Sequence, residues 1–338
     1  MPGAPIRLLI VSDAWYPQVN GVVRTLSTVN EELRAGGDVV EVIGPDRFHT
    51  MPMPSYPEIR LALLPARRLK RLVDQFRPDS MHIATEGPLG MAARRLCRKR
   101  GWAFTTSFHT RFAEYVHART GMPPRLAWAW LRRFHNAASG TYAATATLQN
   151  ELAERGFRHV LPWTRGVDLS LFTPEGPTEF ADLPRPIFLY AGRVAVEKNI
   201  EAFLSLDLPG TKVVVGDGPQ RADLQARFPA VHFAGWRSGA NLASAYRSAD
   251  VFVFPSRTDT FGLVLLEAMA CGTPVAAYPV MGPRDVVTNP GAGQLDDDLR
   301  TACLAALECS RETARAHAET YSWAACAAQF RKQLVLHG

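Results

Sequence analysis

Apolar positions along the chain change period between 2 and 3.6, and the alternation runs through twice. The run RLLIVS, Arg7 to Ser12, predicts a short buried strand, and a Trp-Tyr-Pro loop follows it. In NGVVRTLSTVNEELRAGG the apolar residues recur at helical spacing and stop at Gly36 and Gly37, after which DVVEVIG reads as the next strand. Further strands are expected at Ser80 to Ala84 and Ala103 to Ser107. A polar, Pro-containing stretch from Trp163 to Pro186, with TRGVDLSLFTPEGP at its centre, reads as a linker. The second alternation is IFLYAGR (strand), EKNIEAFLSL (helix), TKVVVGDGP (strand and Gly turn), QRADLQARF (helix), VHFAGW (strand), ANLASAYRSA (helix) and DVFVFPS (strand). This order predicts α/β architecture with two Rossmann-like, doubly wound domains. Their expected bounds are 1–163 and 186–318, joined by a linker over 164–185, with a closing helix in 319–338 that returns to the N-terminal domain. Neither domain carries G-x-G-x-x-G, so a dinucleotide cofactor is not indicated.

A chain of 338 residues, 47% apolar and 21% charged, is long enough for two separate cores. Cys97, Cys271, Cys303, Cys309 and Cys326 are odd in number, scattered and without CxxC spacing, which favours free thiols over disulfides or zinc. RLLIVSD is too short for a signal segment, and no apolar run approaches the ~18 residues of a membrane span, so a cytoplasmic protein is expected.

Charge is shared unevenly. Residues 1–165 carry 23 Lys and Arg against 13 Asp and Glu, whereas residues 166–338 carry 15 against 19. The excess concentrates in RRLKR (67–71), RRLCRKR (94–100) and PPRLAWAWLRRFH, where Trp128, Trp130 and Phe134 accompany Arg125, Arg132 and Arg133. Such a mixture suits an anionic membrane surface; it equally suits core aromatics flanked by solvated arginines. No nucleic-acid motif accompanies the basic runs.

The segment PSRTDTFGLVLLEAMACGTP sets Asp259 and Glu267 eight residues apart across the start of an apolar helix expected from about Phe261. Because VFVF reads as a buried strand, Asp259 falls at the carboxyl edge of a sheet, where ligands of open α/β folds bind. Glu267 is expected about two turns further on. An isolated pair of this kind is ordinarily a helix-start Asp and a solvated Glu. Here Glu267 interrupts LVLL and AMACG, a stretch suited to burial, and a buried carboxylate needs a partner.

These segments together resemble the GT-B fold, retaining glycosyltransferases of family 4. DAWYPQVNGVVRT, the His of TTSFHT, RGVDLSLF, AGRVAVEKN, VVGDGP and PSRTDTFGLVLLEAMACGTPV stand in the family's order and rough spacing, over almost the whole chain. The resemblance implies two domains facing across a cleft, an acceptor-side N-terminal one and a nucleotide-sugar-binding C-terminal one. It implies catalytic roles for His109, Arg193, Lys198, Asp259 and Glu267, with Arg193 and Lys198 stabilising the charge of the leaving diphosphate so that no metal and no other cofactor is needed. His109 is expected to contact the transferred sugar, Asp259 the hydroxyls of the donor sugar, and Glu267 those of the ribose. Asp259 departs from the family's usual Glu and is one methylene shorter. Donor binding extends by the same resemblance to Gly21, Val22, Gly192, Gly216, Gly218, Trp236, Arg237, Thr260, Phe261, Gly262 and Leu263.

The reaction so implied is transfer of a sugar, with retention, from a nucleotide diphosphate sugar to a hydroxyl. No nucleophilic carboxylate stands out, which favours a same-face mechanism with a phosphate oxygen as base. DAWYPQVNGVVRT and RGVDLSLF look most like the branch of glycolipid synthases and α-mannosyltransferases. With the basic N-terminal half, this points to a UDP-sugar, diacylglycerol as acceptor and a peripheral position on the inner membrane face. GDP-mannose-dependent mannosyl transfer to a lipid-linked or soluble glycan is the alternative, and a nucleotide-sugar epimerase or silent sugar-binding module the reading from another class. The run Asp296-Asp297-Asp298 is expected to be a solvated helix start rather than a metal motif.

Overall fold

A computed structural model describes residues 4–18, 20–53, 56–109 and 123–337, with backbone alone over 56–59. It divides into two compact units, residues 1–165 with 323–338, and residues 166–322.

The first unit is a parallel six-stranded sheet between helices. Its elements are β1 (Arg7–Val11), α1 (Gly21–Ala35), β2 (Val39–Ile43), β3 (Thr50–Met53), β4 (Tyr56–Ala62), α2 (Ala66–Phe76), β5 (Ser80–Ile83), α3 (Pro88–Arg100), β6 (Thr105–Phe108), α4 (Pro124–His135), β7 (Gly140–Ala143), α5 (Ala146–Glu154) and β8 (Val160–Pro162). Strand order is β2-β1-β5-β6-β7-β8, while β3 and β4 form a separate antiparallel pair. The central strands are buried on both faces, as parallel strands covered by helices must be; β1 reads as a near-continuous apolar run, whereas β5, β6 and β7 also bury Ser80, His82, Thr105, Thr106, Ser107 and Thr141. Helix α1 starts where Asn20 Oδ1 accepts from the amides of Val22 and Val23, both at 3.0 Å. It buries Val23, Leu26, Val29 and Leu33 on one stripe and ends at Gly36. The β3–β4 hairpin escaped the sequence reading because Pro52 and Pro57 break its strand pattern.

The second unit is another parallel sheet, built from β9 (Ile187–Ala191), α6 (Ile200–Leu204), β10 (Thr211–Val215), α7 (Arg221–Arg227), β11 (His232–Gly235), α8 (Gly239–Ser248), β12 (Val251–Phe254), α9 (Leu263–Ala270), β13 (Val275–Ala277), α10 (Pro283–Val286), β14 (Gly293–Leu295), α11 (Leu299–Ala306) and α12 (Arg311–Glu319). Its order, β11-β10-β9-β12-β13-β14, reverses direction between β9 and β12. A crevice opens at such a reversal, at the carboxyl ends of the strands. From Gly166 onward the stretch read as a linker belongs to this unit. Phe172 is buried, and the carbonyls of Thr173 and Pro177 accept from Arg247.

The last helix, α13 (Trp323–Lys332), belongs to the first unit. Phe330 packs its ring 4.9 Å from that of Trp163, and Arg331 pairs with the buried Asp38 at 2.7 Å. The five cysteines are free, and all but Cys309 are buried. Asp298 caps α11 by accepting from the amides of Arg300 and Thr301, the helix-start role expected of the acidic run. No helix among the described residues is long and apolar enough to cross a membrane.

For two aromatics of PPRLAWAWLRRFH the structure selects the core alternative. Trp128 and Phe134 are core residues, Trp128 stacked on Phe108 with ring centroids 5.9 Å apart, so neither forms a surface patch. Arg94 of the second basic run is also buried, donating to the carbonyls of Phe134 and Arg133.

Candidate active site

The loops after β9 and β12 flank the reversal point of the second sheet, and each carries an opposite charge to it. Beyond β9 come Gly192, Arg193 and a single 3-10 turn, Val196–Lys198. Beyond β12 come Asp259 and Thr260, then α9. Lys198 Nζ lies 2.5 Å from Asp259 Oδ1, both side chains being partly exposed. Two further hydrogen bonds knit the loops, from Asn199 Nδ2 to Pro255 O at 3.1 Å and from Thr258 Oγ1 to Glu197 O at 3.3 Å. Asp259 Oδ2 is buried and has no hydrogen-bond partner among the described residues. A buried acceptor left in this state is costly, so this oxygen suits a hydroxyl donor.

Helix α9 starts at Leu263 rather than near Phe261, because Gly262 takes φ +86 and breaks the helical path there. Glu267 is therefore one turn into the helix, not two. It is 3% exposed, and Tyr246 Oη on α8 donates to its Oε2 at 3.1 Å. Tyr246 is the partner that a buried carboxylate requires, and sequence reading missed it: within ANLASAYRSA it occupies an ordinary core-facing position.

The glycines of the second unit serve first to pack loops. An ideal Cβ on Gly216, whose φ is +146, would lie 1.9 Å from the carbonyl oxygen of Gly192. Gly192 and Gly216 spend their amides on Val215 O and Gly235 O, both at 2.9 Å, and Gly218 donates to Asp217 Oδ1. Tyr190, its phenol pushed well up by burial and then by the charges of Asp259 and Glu197, donates to Arg193 O at 2.7 Å and fixes the loop from below. Arg193 is exposed. Trp236 is 64% exposed after β11, and Arg237 reaches Glu179 at 3.7 Å. Phe261 is buried against Tyr321, which leaves its backbone as the part that can meet a ligand.

In the first unit Gly21 is exposed at the start of α1, and the amide of Val22 is engaged by Asn20 rather than available. His109 stands just past β6, partly exposed, its ring edge-on to Trp163 at 5.7 Å. Arg165, buried, donates to Trp163 O at 2.6 Å and Thr164 O at 2.9 Å, stacks on the Trp163 ring at 4.2 Å and reaches His109 Nδ1 at 3.4 Å. Burial, then the Arg165 cation, holds His109 well below the usual histidine range. Guanidinium only donates, so Nδ1 is the acceptor and the neutral ring carries its proton on Nε2. Arg165 was not singled out from sequence, since an arginine in a polar linker reads as solvated. Beneath it, His82 is buried between Thr105 Oγ1 at 2.8 Å and Ser107 Oγ at 2.7 Å, and burial lowers it to about 3.

Among the described residues, no group of three or more His, Cys, Asp or Glu is placed to hold a metal ion. The chemistry around the second sheet's reversal point is a cation beside a carboxylate with a spare acceptor, and a buried carboxylate one turn into α9. Two Rossmann-like parallel-sheet domains in one chain are the architecture of the GT-B fold. The description "Glycosyltransferase Family 4" matches residues 19–171 and "Glycosyl transferases group 1" residues 185–320. A GDP-mannose-dependent alpha-mannosyltransferase of Mycobacterium tuberculosis is 34% identical over 316 residues, covering 86% of this chain and 83% of that protein. An alpha-monoglucosyldiacylglycerol synthase of Streptococcus pneumoniae is 26% identical over 347 residues, 89% of this chain and 78% of that one. Sucrose-phosphate synthase from Thermosynechococcus elongatus superposes with a TM-score of 0.75 at 22% identity, over 96% of this chain and 97% of its own. The chain belongs to glycosyltransferase family 4.

Proposed function

We propose that this glycosyltransferase moves a hexosyl group, with retention and without a metal or other cofactor, from a nucleoside diphosphate sugar to a hydroxyl of a membrane lipid of the diacylglycerol type. The observation that carries the donor side is the Lys198–Asp259 pair at the reversal point. Lys198 keeps two further N–H donors beyond the one given to Asp259, and with the exposed Arg193 it meets the diphosphate. Asp259 Oδ2 accepts from a hydroxyl of the donor sugar, and Glu267 from the ribose. In the transfer the bond from the anomeric carbon to the phosphate oxygen breaks as the acceptor oxygen bonds to that carbon on the same face. The acceptor proton passes to the departing phosphate oxygen. Electrostatic stabilisation of that oxygen by Arg193 and Lys198 is the main demand on the protein. His109, a neutral Nε2–H donor, hydrogen-bonds the transferred sugar and serves as neither base nor nucleophile.

The lipid acceptor is supported by the basic first unit and by the diacylglycerol in the name of one relative. A second reading, mannosyl transfer from GDP-mannose to a lipid-linked or soluble glycan, is favoured by the 34% identity to a GDP-mannose-dependent enzyme. Radiolabelled UDP- and GDP-sugars offered with a lipid extract separate them. Label from a UDP-sugar in a diacylglycerol product supports the first reading; label from GDP-mannose alone supports the second.

A further inference from the structure

Leu63 and Leu64 cap the end of β4 with two large apolar side chains held out of the first unit. Leu64 is 94% exposed and Leu63 47%. Leu64 has φ +46, a left-handed backbone that leucine rarely adopts, so the chain spends conformational energy to hold this side chain outward. The tip is fixed on both sides: Leu63 N donates to His49 O at 2.8 Å, and Leu69 N to Pro65 O at 2.8 Å as α2 begins.

Helix α2 turns Leu69, Val73 and Phe76 into the core and leaves Arg67, Arg68, Lys70 and Arg71 exposed. A shallow groove of about 560 Å³ runs along this face, lined by Arg67, Lys70, Arg71, Asp74, Gln75 and Arg77. Asp74, the only acid in residues 66–77, is already paired with Lys70 at 2.5 Å and with Arg100. The cations therefore outnumber the local carboxylate severalfold.

We infer that Leu63, Leu64 and the exposed cations of α2 form the face by which the protein docks on an anionic lipid bilayer, the leucines entering the acyl boundary and the cations meeting the headgroup phosphates. Charge complementarity with an apolar tip fits a bilayer and no single phosphate: the groove is open and spreads its cations along a helix, and two exposed leucines would do nothing for a free anion. The inference deepens the lipid-acceptor reading by naming the surface that reaches the lipid, and it rests on that reading for its biological use.

The full chain is sedimented with vesicles of phosphatidylcholine alone or mixed with phosphatidylglycerol. Wild-type protein is expected to pellet with the mixed vesicles and to be released by salt. The Leu63→Ser/Leu64→Ser and Arg67→Gln/Arg71→Gln proteins should each partition about tenfold more weakly or worse. A Leu64→Trp protein should show a blue shift of its emission on the mixed vesicles and none on phosphatidylcholine. Wild-type protein left in the supernatant with anionic vesicles, or both double variants pelleting like wild type, would overturn the inference; so would an unshifted Leu64→Trp emission. Binding through this face without any lipid product would sink the acceptor reading and leave the docking face standing.

Discussion

Lys198 and Asp259, 61 residues apart in sequence, meet at 2.5 Å where the second sheet reverses direction. Each is held by its own strand-end loop, so the pair is a product of topology. In the proposed reaction Lys198 shares its charge between Asp259 and the diphosphate. Replacing Lys198 with Ala is expected to lower kcat by about 10²–10³ while the protein stays folded. Steady-state kinetics with circular dichroism as a folding control checks this.

Asp259→Glu restores the family's usual longer side chain and should move the carboxylate about one methylene toward the donor sugar. The expected outcome is a changed ratio of kcat/KM between two donors differing in one hydroxyl, with nucleoside diphosphate affinity kept. An unchanged ratio would detach Asp259 from sugar recognition.

Tyr246 donates to the buried Glu267. Tyr246→Phe removes that donor without opening a cavity, and a loss of about 1–3 kcal/mol in stability is expected. The same variant should weaken donor binding, as measured by titration with the nucleoside diphosphate. Tyr246 and Arg165 show where sequence stops being informative. The glycines, Lys198, Asp259 and Glu267 were legible because strand ends and breaks in apolar patterning mark them. Tyr246 looked like any core tyrosine, and its meaning lies in a contact 21 residues away. Arg165 looked solvated, yet it is buried, stacked on the ring of Trp163 just past β8. The start of α9 was misplaced by two residues because Gly262 sets it through a positive φ, which composition does not display. The docking tip was half legible: RRLKR stood out as basic, but the orientation of Leu64 is a property of its backbone.

Histidine burial gives the first unit a defined pH response. His82 falls to about 3 when folded against an ordinary value near 6.5, so the unfolded chain binds more protons between those limits. Stability is full above about pH 6.5 and falls as pH drops toward 3; His82 alone removes about 2 kcal/mol by pH 5. Urea midpoints at pH 7.5 and pH 5 measure the effect, and His82→Gln should shrink the difference between them.

Arg165 helps hold His109 neutral. Arg165→Met should therefore raise the pKa of His109 and shift the acid limb of kcat to higher pH. Arg165→Lys keeps the cation and should leave the limb near its wild-type place. Identical profiles for wild type and Arg165→Met would separate the two residues.

Transfer itself is the most direct test: UDP- and GDP-sugars labelled in the hexose are incubated with the protein and a lipid extract, and label is followed into the organic phase. Label from a nucleotide sugar should enter lipid in step with nucleoside diphosphate release, and Lys198→Ala and Glu267→Ala should each cut both by orders of magnitude. No label in lipid from any donor, or undiminished transfer by both variants, would contradict the account.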